Sequence, residues 1–339
     1  MPARRVVDHL DRGWDLLEGR DPKGAADAAR RALQAESDNT EGYVLLGAAM
    51  LDLGDAREAL SQFEAALEIE PDQIDALLYA ADTLIGGLDE PQEALALCER
   101  AAAAAPDEER RLDAQVLRIE ALLALDERDE AARRVRDLPE PPCPGPDLDL
   151  RAANCALEAG EIDRAERYAK SALEKDAEAP DGHYLLGLIA EERADAQAMV
   201  RSFMRVRELD LREQAPAWGM RPSEFEGIAE QVMHDLPADI RKRLENVPVI
   251  ASDYPAVEVV AEGGDPRMMG FFSGVPYPEK SHASGTPPHL DCIFLYQRNI
   301  ERFSRSREEL VDEIRTTLLH ETGHFFALDE DDLEAIGLG

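Results

Sequence analysis

The sequence predicts an α solenoid of paired helices followed by a small α+β domain. Three observations predict it. The first 213 residues repeat with a period near 34, that register stops around residues 214–222, and short β-like runs replace the helical pattern beyond. The expected boundaries are 1–213 for the array and 214–339 for the second domain, and two domains suit a chain of 339 residues.

The repeat is clearest between Tyr43 and Pro71. Leu46 and Gly47, Gly54 and Asp55, then Ala59, Phe63 and Ala66 fall at fixed offsets within it. Small residues at Gly47, Ala59 and Ala66 let two antiparallel helices approach, Gly54-Asp55 turns between them, and Pro71 ends the second. This spacing resembles the tetratricopeptide repeat. Ala25, Ala59, Ala94, Ala131, Ala165 and Met199 occupy equivalent positions, separated by 34, 35, 37, 34 and 34 residues. Gly13 matches Gly47, and Pro106 matches Pro71. Six repeats are expected, the last more degenerate. A proline-rich insertion from Pro139 to Pro146 follows the fourth and predicts a stiff, extended connection. A solenoid of this kind offers a curved surface, on which a protein or peptide partner is expected.

Charge excludes one class of partner. The chain carries 37 basic and 72 acidic residues, a net charge of −35, of which −23 falls on residues 1–213 and −12 on 214–339. Such a field repels phosphate backbones, so no nucleic-acid partner is expected. Cys98, Cys143, Cys155 and Cys292 form no C-x-x-C pair and read as reduced packing residues. No secretory h-region and no long apolar stretch stand out, so a cytoplasmic protein without membrane partners is expected.

In the second part, Ser223 is a candidate cap for a helix through Phe225, Ile228, Val232 and Met233. Short β-like runs are expected at Val247–Ile250, Val257–Val260, Met268–Phe272 and Cys292–Tyr296. A loop rich in Pro, Ser, Gly and His separates the last two. Ser306-Arg307-Glu308-Glu309 has the form of a capping box and predicts a helix from about Arg307 to Phe326.

That helix carries the chemistry. His320 and His324 are four apart, so both imidazoles leave one side and can meet one zinc ion. Glu321 lies between them, placed as the base that takes a proton from water polarised by the metal. Leu310, Ile314, Leu318, Phe325 and Leu328 form an apolar stripe, and Glu321 falls inside it, where a carboxylate is costly without a charged partner. A third ligand is needed. Asp329, Glu330, Asp331, Asp332 and Glu334 are within reach in sequence, and Glu330 sits six past His324, the metzincin-like position. His282 and His289 in the loop are the alternatives. Asp329 also suits the cap of a final short helix.

The stretch from about Ser223 to Gly339 resembles the small bacterial zincin-like metallopeptidases. The matching pieces include Leu236-Pro237, Gly270-Phe271-Phe272-Ser273-Gly274, Glu279-Lys280-Ser281-His282, Ile293-Phe294-Leu295-Tyr296 and Leu319-His320-Glu321-Thr322-Gly323-His324-Phe325-Phe326. The resemblance implies a compact zincin fold with the active-site helix under a small sheet. It also implies His320, His324 and Glu330 as zinc ligands and Glu321 as catalytic base. Ala327 departs from it, since the family usually has glycine where the chain turns toward the metal. Two functions follow: a zinc metallopeptidase whose repeats recruit a partner or substrate, or an interaction scaffold with a structural or inactive zincin domain.

Overall fold

The structure is a computed structural model describing residues 2–145, 147–216, 218–274, 291–304 and 306–326. Packing divides the chain into two compact units, Met1–Met199 and Val200–Gly339.

The repeats fold as antiparallel helix pairs. They are α1 (Pro2–Glu18) with α2 (Pro22–Ala35), α3 (Thr40–Asp52) with α4 (Ala56–Ile69), and α5 (Ile74–Asp82) with α6 (Pro91–Ala104). Then come α7 (Glu108–Ala124) with α8 (Arg128–Asp137), α9 (Leu148–Glu158) with α10 (Ile162–Lys175), and α11 (Pro180–Glu192) with α12 (Ala196–Asp210). The division between Met199 and Val200 falls inside α12. Ala25, Ala59, Ala94, Ala131 and Ala165 are all fully buried, as their helix-contact role requires.

Every pair turns on one left-handed residue: Arg20, Gly54, Asp89, Asp126, Gly160 and Ala194, with φ between +55° and +81°. Only two are glycine. The other four carry a Cβ at a steric cost of about 1 kcal/mol each. What holds them is the closing hydrogen bond of the helix end. The N–H of Asp55 donates to Met50 O at 2.9 Å, and Asp21, Glu127, Glu161 and Asp195 donate to Leu16, Leu122, Ala156 and Ala190, each at 2.8 Å. The carboxylates of Asp21, Asp55 and Asp195 then cap the next helix by accepting from the N–H groups of Gly24, Glu58 and Ala198. The third repeat differs. A π-helical segment, Thr83–Gly87, continues α5, and its closing bond, Glu90 N–H to Leu84 O at 2.8 Å, spans one residue more. That inserted residue is the physical origin of the 35-residue spacing between Ala59 and Ala94.

The proline-rich insertion is clamped to α10. Tyr168 donates its hydroxyl to Pro139 O at 2.5 Å, and Lys175 Nζ donates to Cys143 O at 2.7 Å and Gly145 O at 2.9 Å. At the centre is Asp149, fully buried, accepting from Cys143 N–H at 2.9 Å and Ser171 Oγ at 2.7 Å and paired with Lys175 at 2.9 Å. Burial alone would push its carboxyl up; the bonds from Ser171, Lys175 and Cys143 outweigh burial and hold it below the usual carboxylate range. Asp149→Ala is expected to cost about 3–5 kcal/mol at neutral pH, because Lys175, Ser171 and the Cys143 amide lose their shared partner. A lowered folded pKa gives stability that is full above the unfolded value and fades as pH falls through the folded one. Urea unfolding should therefore show the gap between wild type and variant closing in acid, and a pH-independent gap would contradict this account.

In the second unit, β1 (Val249–Ser252), β2 (Gly270–Ser273) and β3 (Cys292–Tyr296) form a sheet of order β1-β3-β2, with β1 parallel and β2 antiparallel to β3. Around it lie α13 (Pro222–Asp235), α14 (Ala238–Arg243), α15 (Val257–Ala261), α16 (Gln297–Phe303) and α17 (Arg307–Phe326). Two expectations are corrected. Val257–Val260 is helix, not strand. A four-residue run, three valines around Glu258, has no decisive period, and here it follows Pro255, ends at the left-handed Gly263 and buries Val260 completely. Ser223 is not the cap of α13: Arg221 holds that place, and Pro222 opens the helix, where its missing N–H costs nothing. Ser306 does cap α17, accepting from Glu309 N–H at 3.1 Å. No described helix is long and apolar enough to cross a membrane. All four cysteines are buried and unpaired with one another.

Candidate metal centre

Helix α17 lies against the sheet through one stripe. Leu310, Ile314, Leu318 and Phe325 are fully buried, and Phe272 of β2 meets the Phe325 ring edge-on at 5.7 Å. The stripe orients the last two turns. Glu321 then faces the sheet, 6% exposed, while His320 and His324 stand exposed beside it. The ligand atoms of these three residues lie within 4.8 Å of one another. The two Nε2 atoms are 3.0 Å apart and the rings are perpendicular. Zinc bound by imidazoles at about 2.0–2.1 Å sets neighbouring nitrogens of a tetrahedron roughly 3.3 Å apart, so this pair fits two corners of such an ion.

The strand beside Glu321 is built for close approach. A Cβ at Gly270 would fall 2.8 Å from Glu321 Cγ and from Thr317 Cγ2, and 3.0 Å from Glu321 Oε1. Glycine lets β2 settle on the helix, and the Phe272 N–H reaches the Glu321 carboxylate. Burial pushes that carboxyl above the usual carboxylate range, against the opposing pull of His320 and the Phe272 amide. On β3, burial and then the nearby Glu321 push the Tyr296 phenol up to about 12, so it stays protonated at neutral pH.

Of the residues expected at the site, His320, Glu321 and His324 lie together. Glu330, His282 and His289 lie outside the described residues. Gly270 and the Phe272 amide had no role assigned from sequence. A glycine inside an apolar β-like run was the available signal, since it marks a close approach of backbone.

Gly270→Ala is expected to destabilise the second unit by about 1–3 kcal/mol through overpacking. The Phe272 amide should exchange faster with solvent water while the two histidines, on the exposed side, keep their metal affinity. Unchanged stability and unchanged exchange at Phe272 would show that the contact is slack.

Residues 244–339 match the family described as zincin-like metallopeptidase. No curated protein matches the chain. Solved structures match the helical part. One is PilW, a type IV pilus biogenesis factor, at 19% identity over 62% of this chain and 95% of that one, with a TM-score of 0.50. Another is a thermophilic TPR protein of Thermus thermophilus, at 19% identity over 57% of this chain and 99% of that one, with a TM-score of 0.45. At 19% identity the likeness to PilW concerns fold alone. The chain thus carries a zincin-like metallopeptidase segment at its C-terminus, behind a helical region of tetratricopeptide-repeat type.

Proposed function

We propose that the chain is a zinc-dependent metallopeptidase and that its repeat array docks a protein or peptide partner or substrate. The observation that carries the first part is Glu321: a buried carboxylate held between two exposed imidazoles, in a segment matching a metallopeptidase family. His320 and His324 would hold the zinc, with Glu330 as third ligand and the loop histidines His282 and His289 as its alternatives. A zinc ion there would supply Lewis acidity, polarising the scissile carbonyl and making water easier to deprotonate. Glu321 takes the proton of the attacking water on its carboxylate and returns it to the amine nitrogen that leaves. The Phe272 N–H favours the charged form of that carboxylate, and burial favours the protonated one more strongly.

Protein purified without added metal should contain about one zinc per chain, by the logic of a single three-ligand site, and should cleave casein or a generic peptide. Near-zero zinc that dialysis cannot restore would sink the reading and favour the scaffold. Glu330→Ala should weaken zinc far more than Asp331→Ala. Equal affinities of those two variants, with loss on His282→Ala, would move the ligand to the loop.

A further inference from the structure

The first unit contains a groove of about 800 Å³, and every residue lining it comes from the first helix of a repeat or the turn that opens one: α1, α3, α5, α7 or α9. Its floor is apolar, formed by Val44, Leu78 and Leu117, all buried. Trp14 and Tyr79 are half-buried walls, and the Tyr79 ring is braced from behind by Phe63, stacked at 5.4 Å. The charges are unequal. Glu41, Asp75, Asp82 and Asp113 face the groove against Arg110 and Arg151. Both guanidiniums are held by carboxylates already: Arg110 by Asp75 at 2.9 Å, and Arg151 by Asp113 at 2.5 Å and Glu120 at 2.7 Å. An incoming anion would have to displace those partners. Glu41 accepts from the Trp14 indole N–H in a long bond of 3.3 Å, which leaves its charge in place, so an incoming cation meets a lining of net negative charge inside a unit that is itself strongly acidic. The indole face of Trp14 adds a surface that favours a cation.

We infer that this groove docks an extended peptide segment in which an arginine or lysine stands next to an apolar residue. The apolar side chain enters the floor of Val44, Leu78 and Leu117, and the cation lies between Trp14 and the carboxylates of Glu41 and Asp82. This rests on the proposed docking role of the array and names its ligand; it does not depend on the hydrolytic reaction.

The test uses the full chain carrying Glu321→Gln, so that no peptide is consumed, and three synthetic peptides differing only in an Arg-Leu-Arg, Gln-Leu-Gln or Glu-Leu-Glu core. Heat of binding and Trp14 fluorescence are followed together, with Trp14→Phe confirming the source of the signal. The Arg-Leu-Arg peptide should bind tightest and shift Trp14 emission. Its affinity should fall as ionic strength rises past about 0.15 M, where the Debye length is about 8 Å. Glu41→Gln with Asp82→Asn should weaken it roughly 2- to 30-fold, the range for two partly exposed ion pairs. Equal or tighter binding of the acidic or neutral peptide, with a Trp14 response, overturns the ligand class. Heat without a Trp14 response overturns the groove and keeps the array as a docking surface elsewhere. No heat from any peptide overturns both the groove and the ligand class and leaves the zinc and hydrolysis results, read separately, unaffected.

Discussion

Glu321→Gln should retain zinc and lose peptide hydrolysis by roughly 10²–10⁴-fold, the usual contribution of a positioned acid–base group. The amide is nearly the same size as the carboxylate and can still accept from the Phe272 N–H, so β2 and α17 keep their contact. It cannot accept a proton at neutral pH. The exposed imidazoles of His320 and His324 are untouched, so metal content should match wild type. In the metal-free protein burial disfavours the charged form of Glu321, so there a neutral replacement should leave thermal stability unchanged or slightly raised. His320→Ala provides the contrast, since it should lose metal and hydrolysis together. Full turnover by the glutamine variant would remove Glu321 as the base. Loss of zinc by that variant would make Glu321 a ligand or a structural group instead.

How much of this was legible in sequence depended on how local each cause is. His320, Glu321 and His324 share a helix whose apolar stripe is visible in the sequence, so their grouping follows from about 3.6 residues per turn alone. The repeat register was legible for the same reason. The left-handed turns were legible only where glycine marks them, at Gly54 and Gly160. At Arg20, Asp89, Asp126 and Ala194 the same conformation is enforced by hydrogen bonds from the preceding helix end, which no single residue announces. The π-helical segment appeared only as an unexplained extra residue of spacing. Val257–Val260 misled because β-branched composition was outweighed by tertiary packing. The contact of Gly270 with Glu321 joins residues far apart in the chain, and no local pattern encodes it.

The second large effect is expected at Asp210, upstream of the segment matched to the zincin family. Its side chain is fully buried and meets two guanidiniums, Arg302 at 2.9 Å and Arg267 at 3.3 Å, while its carbonyl accepts from the Tyr254 hydroxyl at 2.8 Å. A few residues earlier, Arg207 donates to Pro255 O at 2.7 Å. The last turns of α12 thus supply the second unit with a buried anion that its two arginines require. Asp210→Ala should destabilise that unit by about 3–5 kcal/mol, since Arg267 and Arg302 lose their shared buried partner and Arg302 keeps only the exposed Glu213, at 2.7 Å, among the carboxylates of the described residues. For a unit of this size that is a fall in Tm of about 10–20 °C. Trp218, whose indole N–H donates to Glu301 O at 3.1 Å, reports unfolding of this unit, and Trp14→Phe removes the signal of the other. Asp210→Asn should lose less, because the amide oxygen still accepts from one arginine. The same contacts decide where the zincin-like unit can be cut free. A fragment beginning at residue 196 keeps Asp210 and should fold, whereas one beginning at 214, where the repeat pattern ends, should be less stable by a similar amount. Equal stability of the two fragments, or an Asp210→Ala melt unchanged at Trp218, would show that the unit is complete without α12.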